Sequence, residues 1–208
     1  HAFTRLEYKN RLGTNLSVEL PRGHIWMGGA EKTQGGVTFV ANMPTEEIYT
    51  LPKRDGVNGT VKATRPLNVN GNIVEGFSLT FKDGKVVDYK AERGAEILKE
   101  LFATDEGASY LGEVALVPYD SPISKSGVLF FNTLFDENAA CHLAFGKAYP
   151  TCIKGGEAMT SVELLQRGVN DSLVHEDFMI GSKDLAIDGV QEDGKRVPVF
   201  RDGNFAFV

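Results

Sequence analysis

Several features are scarce in this chain of 208 residues, and each scarcity excludes a class of protein. It has no apolar run of about 18 residues, so the sequence predicts no membrane-spanning helix. Its only two cysteines, Cys141 and Cys152, are too few for a disulfide framework, and we expect a reduced pair in a cytoplasmic protein. Basic residues are not in excess either: the net charge is -6, which gives no reason to expect a nucleic-acid partner.

The N-terminus lacks both a starting Met and the apolar stretch of a signal peptide. We therefore expect the chain to be cut from a longer one. Its composition is that of an ordinary globular protein, 42% hydrophobic and 24% charged, and its length is enough for one large domain with a well-buried core.

Short segments separated by 23 glycines and 8 prolines indicate a strand-rich protein. Asp83-Gly84 joins two β-rich runs, the strongest short signal for a hairpin. Helical spacing predicts helices over 91–102, 134–147 and 160–167, the last with Thr160 and Glu163 as a capping box. We predict an α+β fold: a strand-rich single domain with mixed sheets and about three helices. Further strands are predicted over 111–118, 128–132 and 172–180.

Six potential metal ligands stand out. Carboxylate oxygens and imidazole nitrogens suit zinc, cobalt or manganese, and six such groups are too many for one tetrahedral ion. They are about right for two ions that share a carboxylate and a water. The six are Glu47, Glu113, Glu137, His142, His175 and Asp177.

Glu113 is the most informative of the six, because it interrupts an otherwise apolar predicted strand. A buried carboxylate is costly unless it is paired or bound to a metal; the alternative is a surface position on an edge strand. His175 and Asp177 alternate along another predicted strand and so share a face. Glu137 and His142 are five residues apart, a spacing that does not place both on one face of a regular helix.

Several segments together resemble the M29 family of metallo-aminopeptidases, the group of aminopeptidase T, aminopeptidase S and PepS. The resemblance covers nearly the whole chain and rests on the order and spacing of its segments. These include Phe39-Val40-Ala41-Asn42-Met43-Pro44-Thr45-Glu46-Glu47, Tyr110-Leu111-Gly112-Glu113-Val114, Asn132-Thr133-Leu134-Phe135-Asp136-Glu137-Asn138 and Asp177-Phe178-Met179-Ile180-Gly181.

The resemblance implies a two-metal exopeptidase in which the six ligands hold the ions and Glu113 bridges them. It also implies that Tyr149 lies beside the metals, where its hydroxyl would donate to the developing oxyanion. Family members are about twice as long, so we expect the C-terminal, metal-binding half. Residues 1–12 are then a possible tail of a missing N-terminal domain, and 13–208 the metal-binding catalytic domain.

Some assignments stay open at the level of sequence. Glu46 is the candidate proton shuttle, although adjacent residues such as Glu46 and Glu47 often point in different directions. A non-catalytic metal-binding domain is one alternative function, and an assembly domain is another. The resemblance suggests a homodimer, with Phe3, Trp26 and Phe205–Phe207 as candidate interface residues. Cys141 next to His142 resembles a nucleophile, but a small buried apolar residue is the favoured interpretation.

Overall fold

The computed structural model describes residues 2–40 and 47–207. Strands dominate this part of the chain, and four α-helices accompany them. The helices are α1 Ala95–Phe102, α2 Pro122–Ser126, α3 Thr133–Asp136 and α4 Ser161–Gln166. The strands are β1 Phe3–Lys9, β2 Asn15–Glu19, β3 Met27–Gly28, β4 Glu31–Lys32, β5 Thr38–Phe39, β6 Ile48–Thr50, β7 Val57–Lys62, β8 Leu67–Val69, β9 Asn72–Val74, β10 Ser78–Lys82, β11 Lys85–Lys90, β12 Leu111–Leu116, β13 His142–Gly146, β14 His175–Met179, β15 Ala186–Gln191, β16 Arg196–Arg201 and β17 Asn204–Phe205.

Two large sheets carry most of these strands. The first has eight strands in the order β11-β10-β7-β2-β1-β15-β16-β17, and the second has five in the order β14-β13-β12-β6-β3. Two small two-stranded sheets, β4-β5 and β8-β9, complete the described part. The strand-rich α+β class is therefore confirmed, although the ladders between the described strands are antiparallel, where mixed sheets were expected.

The main core lies between the two large sheets. Phe145 of β13 stacks on Phe178 of β14 with ring centroids 4.4 Å apart, and Phe178 in turn contacts Phe77 at 5.7 Å. Phe77 immediately precedes β10 of the eight-stranded sheet, so these rings join one sheet to the other. All three are essentially inaccessible to solvent, and burying each side chain is worth about 1.5–3 kcal/mol.

Local signals predicted several elements correctly. Asp83 and Gly84 have φ values of 48° and 83°, as a hairpin turn with two left-handed residues requires, and they join β10 to β11. The capping box of Thr160 and Glu163 is present at the start of α4. Helix α1 is also confirmed, but it begins at Ala95, after Gly94 in the left-handed conformation, rather than at residue 91.

The helix predicted over 134–147 is wrong. Helix α3 ends at Asp136, a 3₁₀ turn covers Glu137–Ala139, and His142–Gly146 forms β13. All five residues of β13 are buried. A short, largely apolar run is typical of either a buried strand or a turn of buried helix, and the pairing of this run with β12 and β14 makes it a strand.

The strand predicted over 128–132 is wrong as well. Residues 128–131 have no regular structure, and Phe131 adopts a left-handed φ of 55°. The buried carboxylate of Asp136 accepts hydrogen bonds from the backbone N–H groups of Phe130 and Asn132. These bonds stabilise a loop at the expense of strand pairing.

Residues 12 and 13, between which we expect a boundary, lie between β1 and β2. Strand β1 pairs with β2 on one side and with β15 on the other. Leu6 and Tyr8 of β1 are fully buried. The first residues are thus part of the same sheet as the rest.

The candidate interface residues differ in exposure. Phe3 belongs to the core, with 9% of its surface exposed, while Trp26 and Phe205 are partly buried against the core. Phe207 is 58% exposed. Of the candidate aromatic side chains, Phe207 is therefore the one with a largely exposed ring. No helix of the described residues is both long enough and apolar enough to cross a membrane.

Candidate metal centre

Four neighbouring strands of the five-stranded sheet bring the predicted ligands together. Glu113 lies in β12, whose six residues are all buried. Its partner across the ladder is Ala144 of β13, which is paired on its other side with Asp177 of β14. Residues directly opposite one another share a face of a sheet, so Glu113 and Asp177 project from the same face. His175, two residues before Asp177, shares that face too.

The remaining ligands enter at the ends of elements. His142 is the first residue of β13, and its partner in β12 is Ala115, which lies on the face of Glu113. Glu47 directly precedes β6. Glu137 begins the 3₁₀ turn after α3. The fully buried Asn138 holds this turn, because its Nδ2 donates to the backbone oxygens of Leu134 and Phe135 at 3.0 and 3.5 Å.

All six predicted ligands converge. Three overlapping groups have potential ligand atoms within 4.8 Å of one another: Glu47 with Glu113 and His142, Glu113 with His175 and Asp177, and Glu137 with His142 and Asp177. Glu113, His142 and Asp177 each belong to two groups. These three residues therefore connect the three groups to one another.

The two oxygens of Glu113 face different histidines. Its Oε1 lies 3.5 Å from Nε2 of His142, and its Oε2 lies 3.9 Å from Nε2 of His175. Nε2 of His142 is also 3.2 Å from Oε1 of Glu47, and Nε2 of His175 is 3.5 Å from Oδ1 of Asp177. Ligands held at 2.0–2.2 Å around a tetrahedral ion lie about 3.4 Å from each other. These spacings are therefore those of a ligand shell.

Both histidines have the orientation of metal ligands. Nδ1 of His142 donates to the backbone oxygen of Ala140 at 3.1 Å, and Nδ1 of His175 donates to that of Lys147 at 2.8 Å. A carbonyl oxygen only accepts, so the proton of each neutral ring is on Nδ1 and the lone pair of Nε2 faces the carboxylates. Metal-ligating histidines are commonly held in this way by the other ring nitrogen.

The polar atoms at the centre of the cluster fit a cation better than they fit each other. Nε2 of His142 and Oδ1 of Asp177 are buried and have no hydrogen-bond partner among the described residues. Nε2 of His142 is close to carboxylate oxygens, but none is aligned for a hydrogen bond. Unsatisfied buried polar atoms are costly. The donor set of four carboxylates and two imidazoles thus fits divalent cations.

The pKa values show the same electrostatic conflict. Burial raises the pKa of Glu113 above its ordinary value, and burial together with repulsion from Asp177 raises the pKa of Glu137 to about 8. Carboxylates crowded away from water resist ionisation. A positive charge among these carboxylates would relieve this conflict.

The histidines shift in the complementary direction. Burial alone would lower the pKa of His175, but the neighbouring carboxylate of Asp177 raises it to about 9. Burial would lower that of His142 also, yet the neighbouring Glu113 raises this pKa well above its ordinary value. Asp177 behaves oppositely: burial would raise its pKa, but His175 and His142 hold it below its ordinary value.

Tyr149 lies beside the cluster. Its ring centroid is 4.8 Å from that of His175 and 6.4 Å from that of Tyr49. Burial and the charge of Glu113 raise the pKa of Tyr149 to about 12, so its hydroxyl keeps its proton and can donate. The ring is 41% exposed and borders the cavity over the cluster.

That cavity has a volume of about 600 Å³. Besides Tyr149 and five of the six predicted ligands, its walls include residues that the sequence did not single out: Gly28, Gly29, Tyr49, Leu134 and Thr151. For two of these residues, the sequence contains a local signal. Tyr49 of β6 follows Glu47 by two residues, and Leu134 of α3 precedes Glu137 by three, spacings that favour a shared face with a ligand.

Two other candidates have different outcomes. Cys141 is fully buried, and its Sγ contacts the backbone of Val117 at 3.3 and 3.4 Å. Burial raises the pKa of this thiol to about 12, which agrees with an inert side chain rather than a nucleophile. It precedes a strand, however, and does not lie on a helix. Glu46 lies outside the described residues.

Comparison with known proteins places the chain in a family. The family model described as thermophilic metalloprotease (M29) matches residues 1–205. Aminopeptidase 2 of Geobacillus stearothermophilus is 64% identical over 195 residues, which cover 94% of this chain and 47% of that protein. Aminopeptidase T of Thermus thermophilus is 50% identical over 206 residues, covering 98% of this chain and 49% of the other.

Solved structures give the same result. Wild-type AmpT from Thermus thermophilus superposes with a TM-score of 0.91 at 51% identity, over 98% of this chain and 50% of that one. A 2,5-dihydroxypyridine dioxygenase from Pseudomonas putida KT2440 shares the fold alone, with a TM-score of 0.60 at 14% identity. The chain spans about half the length of the curated relatives it matches. By the family match and these relatives, the chain belongs to the M29 family of metalloproteases.

Proposed function

We propose that this chain carries the metal centre of an aminopeptidase, which releases N-terminal amino acids from peptides with the help of two divalent cations. The observation that carries this proposal is the placement of Glu113, whose two oxygens face two different histidines. A carboxylate in that position is suited to bridge two ions. The names of the relatives, which are aminopeptidases, support the reaction class.

The residues assigned to the two ions are the six that converge, in three overlapping groups. Zinc, cobalt and manganese all suit this donor set. When bound, the cations would supply a water activated near neutral pH and would polarise the peptide carbonyl.

The chain's own residues account for recognition of the peptide terminus. The cavity is lined by four carboxylates, Glu47, Glu113, Glu137 and Asp177, and by no lysine or arginine among the described residues. Its acidic side chains can accept hydrogen bonds from the α-ammonium group of a peptide, and it offers no lysine or arginine to a C-terminal carboxylate. The cavity therefore favours an aminopeptidase over a carboxypeptidase.

Tyr149 is the proposed donor to the oxyanion that forms on the scissile carbonyl. It borders the cavity next to His175 and retains its proton at neutral pH. Donors placed in advance where negative charge develops lower the barrier more than donors that must reorganise.

Glu46 remains the candidate proton shuttle. The expected assembly is a homodimer, and the expected compartment is the cytoplasm.

The decisive experiment replaces Glu113 by Gln in the protein that carries this chain at its full natural length. Glutamine keeps the volume but removes the charge, so we expect bound metal to fall below two ions. Turnover of an amino-acid p-nitroanilide should fall at least about 100-fold. Metal is measured by mass spectrometry and turnover with and without chelator.

The matched control is Glu100→Gln on the exposed side of α1, which should change neither quantity. Full metal content in Glu113→Gln would contradict the bridging role. Wild-type protein that binds two ions but shows no chelator-sensitive turnover would favour the alternative, a non-catalytic metal-binding or assembly domain.

A further inference from the structure

The lining of the cavity over the metal centre includes residues outside the predicted ligand set. Gly28 ends β3, which pairs with the strand of Tyr49, and Gly29 follows it; Leu134 and Thr151 also border the cavity. Leu134 is 51% exposed although it borders the cavity, so its side chain is free to contact a ligand. These residues have no part in the proposed chemistry.

The glycine at position 29 is not required by the backbone. An added Cβ there would meet no described atom within 4 Å, and the residue has no left-handed φ. Gly146 in β13 shows the contrast: its φ is 89°, and an added Cβ would lie 2.1 Å from the backbone oxygen of Val174. Glycine at 146 is a packing necessity, whereas a Cβ at 29 would contact none of the described residues.

The pairing of β3 with β6 places Gly29 near Tyr49. Met27 pairs with Tyr49, and Gly28 pairs with Ile48. Gly29 follows Gly28 directly, at the end of this pairing nearest Glu47, and borders the same cavity as Tyr49 and Glu47.

We propose that Gly29 determines the size of the N-terminal side chain that the site accepts, and that the space it leaves accommodates large apolar side chains. This inference rests on the proposed aminopeptidase function. The same cavity is lined by the side chains of Leu134 and Tyr49, and no lysine or arginine borders it among the described residues. An apolar side chain of leucine or phenylalanine size fits that chemistry.

The test compares wild type with Gly29→Leu, both at full natural length and with added divalent metal. We expect kcat/KM for leucine p-nitroanilide to fall at least about tenfold. The leucine introduced at position 29 would occupy the space for the substrate side chain, and pockets discriminate between side chains that differ by a few methylenes. The value for alanine p-nitroanilide should change less than about threefold. Metal content should stay as in wild type, because Gly29 contributes no ligand atom.

A second measurement does not depend on turnover. Calorimetric titration of L-leucine and L-alanine into both metal-loaded proteins should show that Gly29→Leu loses leucine binding and keeps alanine binding. The control is Gly35→Leu, in the exposed loop between β4 and β5. Gly35 also lacks a left-handed φ, and its added Cβ would make only an ordinary contact with Thr33, 3.8 Å away.

An unchanged ratio of leucine to alanine in both measurements would overturn the role of Gly29. Equal losses for the two amino acids would do the same, since a size filter must discriminate. A wild-type protein that releases no chromophore would refute the proposed function separately, and the binding ratio would still decide the role of Gly29.

Discussion

At the scale of single residues, a substitution of Tyr149 distinguishes an effect on the chemical step from an effect on substrate or metal binding. Its position beside His175 suits a donor that acts on the oxyanion and not on the cations. Tyr149→Phe removes the hydroxyl and keeps the ring that contacts Tyr49. We expect kcat to fall about 100-fold, as on loss of an oxyanion donor, with KM and metal content almost unchanged.

Steady-state kinetics and metal analysis of Tyr149→Phe check this prediction. Tyr119→Phe is a suitable control, because Tyr119 is exposed and does not line the cavity over the metals. A large rise in KM at constant kcat would show instead that the Tyr149 hydroxyl binds the substrate in its ground state.

Residue chemistry was the part of the site most open to prediction from sequence. A carboxylate in an apolar strand is costly, so the sequence alone predicted that Glu113 has a special role. Strand alternation correctly placed His175 and Asp177 on one face. The glycines of the cavity wall gave no such signal. Gly29 matters through the volume it leaves beside β6, and that volume exists only after β3 and β6 have paired.

At the scale of elements, the segment before β14 is fixed by one carboxylate in the loop after α1. Asp105 accepts hydrogen bonds from the backbone N–H groups of Leu173 and Ala108 and from the hydroxyl of Ser172. The partial burial of this group would raise its pKa, but these bonds hold the pKa of Asp105 below its ordinary value. The interaction connects α1 to the strand that carries His175 and Asp177.

Asp105→Asn should therefore lower the free energy of unfolding by about 1 kcal/mol, the lower end for charged hydrogen bonds because the carboxylate is near solvent. The folded-state pKa is depressed, so this stabilisation is complete above the unfolded-state pKa and is lost as pH falls through the folded-state pKa. Urea unfolding at neutral and acidic pH measures both values. The difference in the free energy of unfolding between wild type and Asp105→Asn should shrink in acid. The control Asp88→Asn, at an exposed position of β11, should not differ from wild type in this free energy.

Helix and strand identity were predictable where a local signal was specific. The Asp83-Gly84 turn and the Thr160–Glu163 capping box depend on a few adjacent residues and were correct. The residues that form β13 are predicted as helix, because no local feature distinguishes a short buried strand from a turn of buried helix. Its strand state comes from pairing with β12 and β14, which are distant in sequence.

At the scale of the whole molecule, the metal centre joins β6, β12, β13 and β14. Its carboxylates repel one another without a cation, and the buried Nε2 of His142 and Oδ1 of Asp177 have no hydrogen-bond partner among the described residues. Cations that bind only the folded state stabilise it, by about 2.7 kcal/mol at a concentration 100 times the Kd. For a chain of this size, that corresponds to a rise in Tm of roughly 5–10 °C.

Differential scanning calorimetry with added zinc, cobalt or manganese, and then with chelator, measures this shift. The shift should be much smaller in Glu113→Gln, since the variant loses the carboxylate shared by two of the three ligand groups. An equal shift in wild type and variant would mean that the cations bind elsewhere on the surface. The four strands would then be held together by the packing of their core alone, and the six converging side chains would destabilise the folded state.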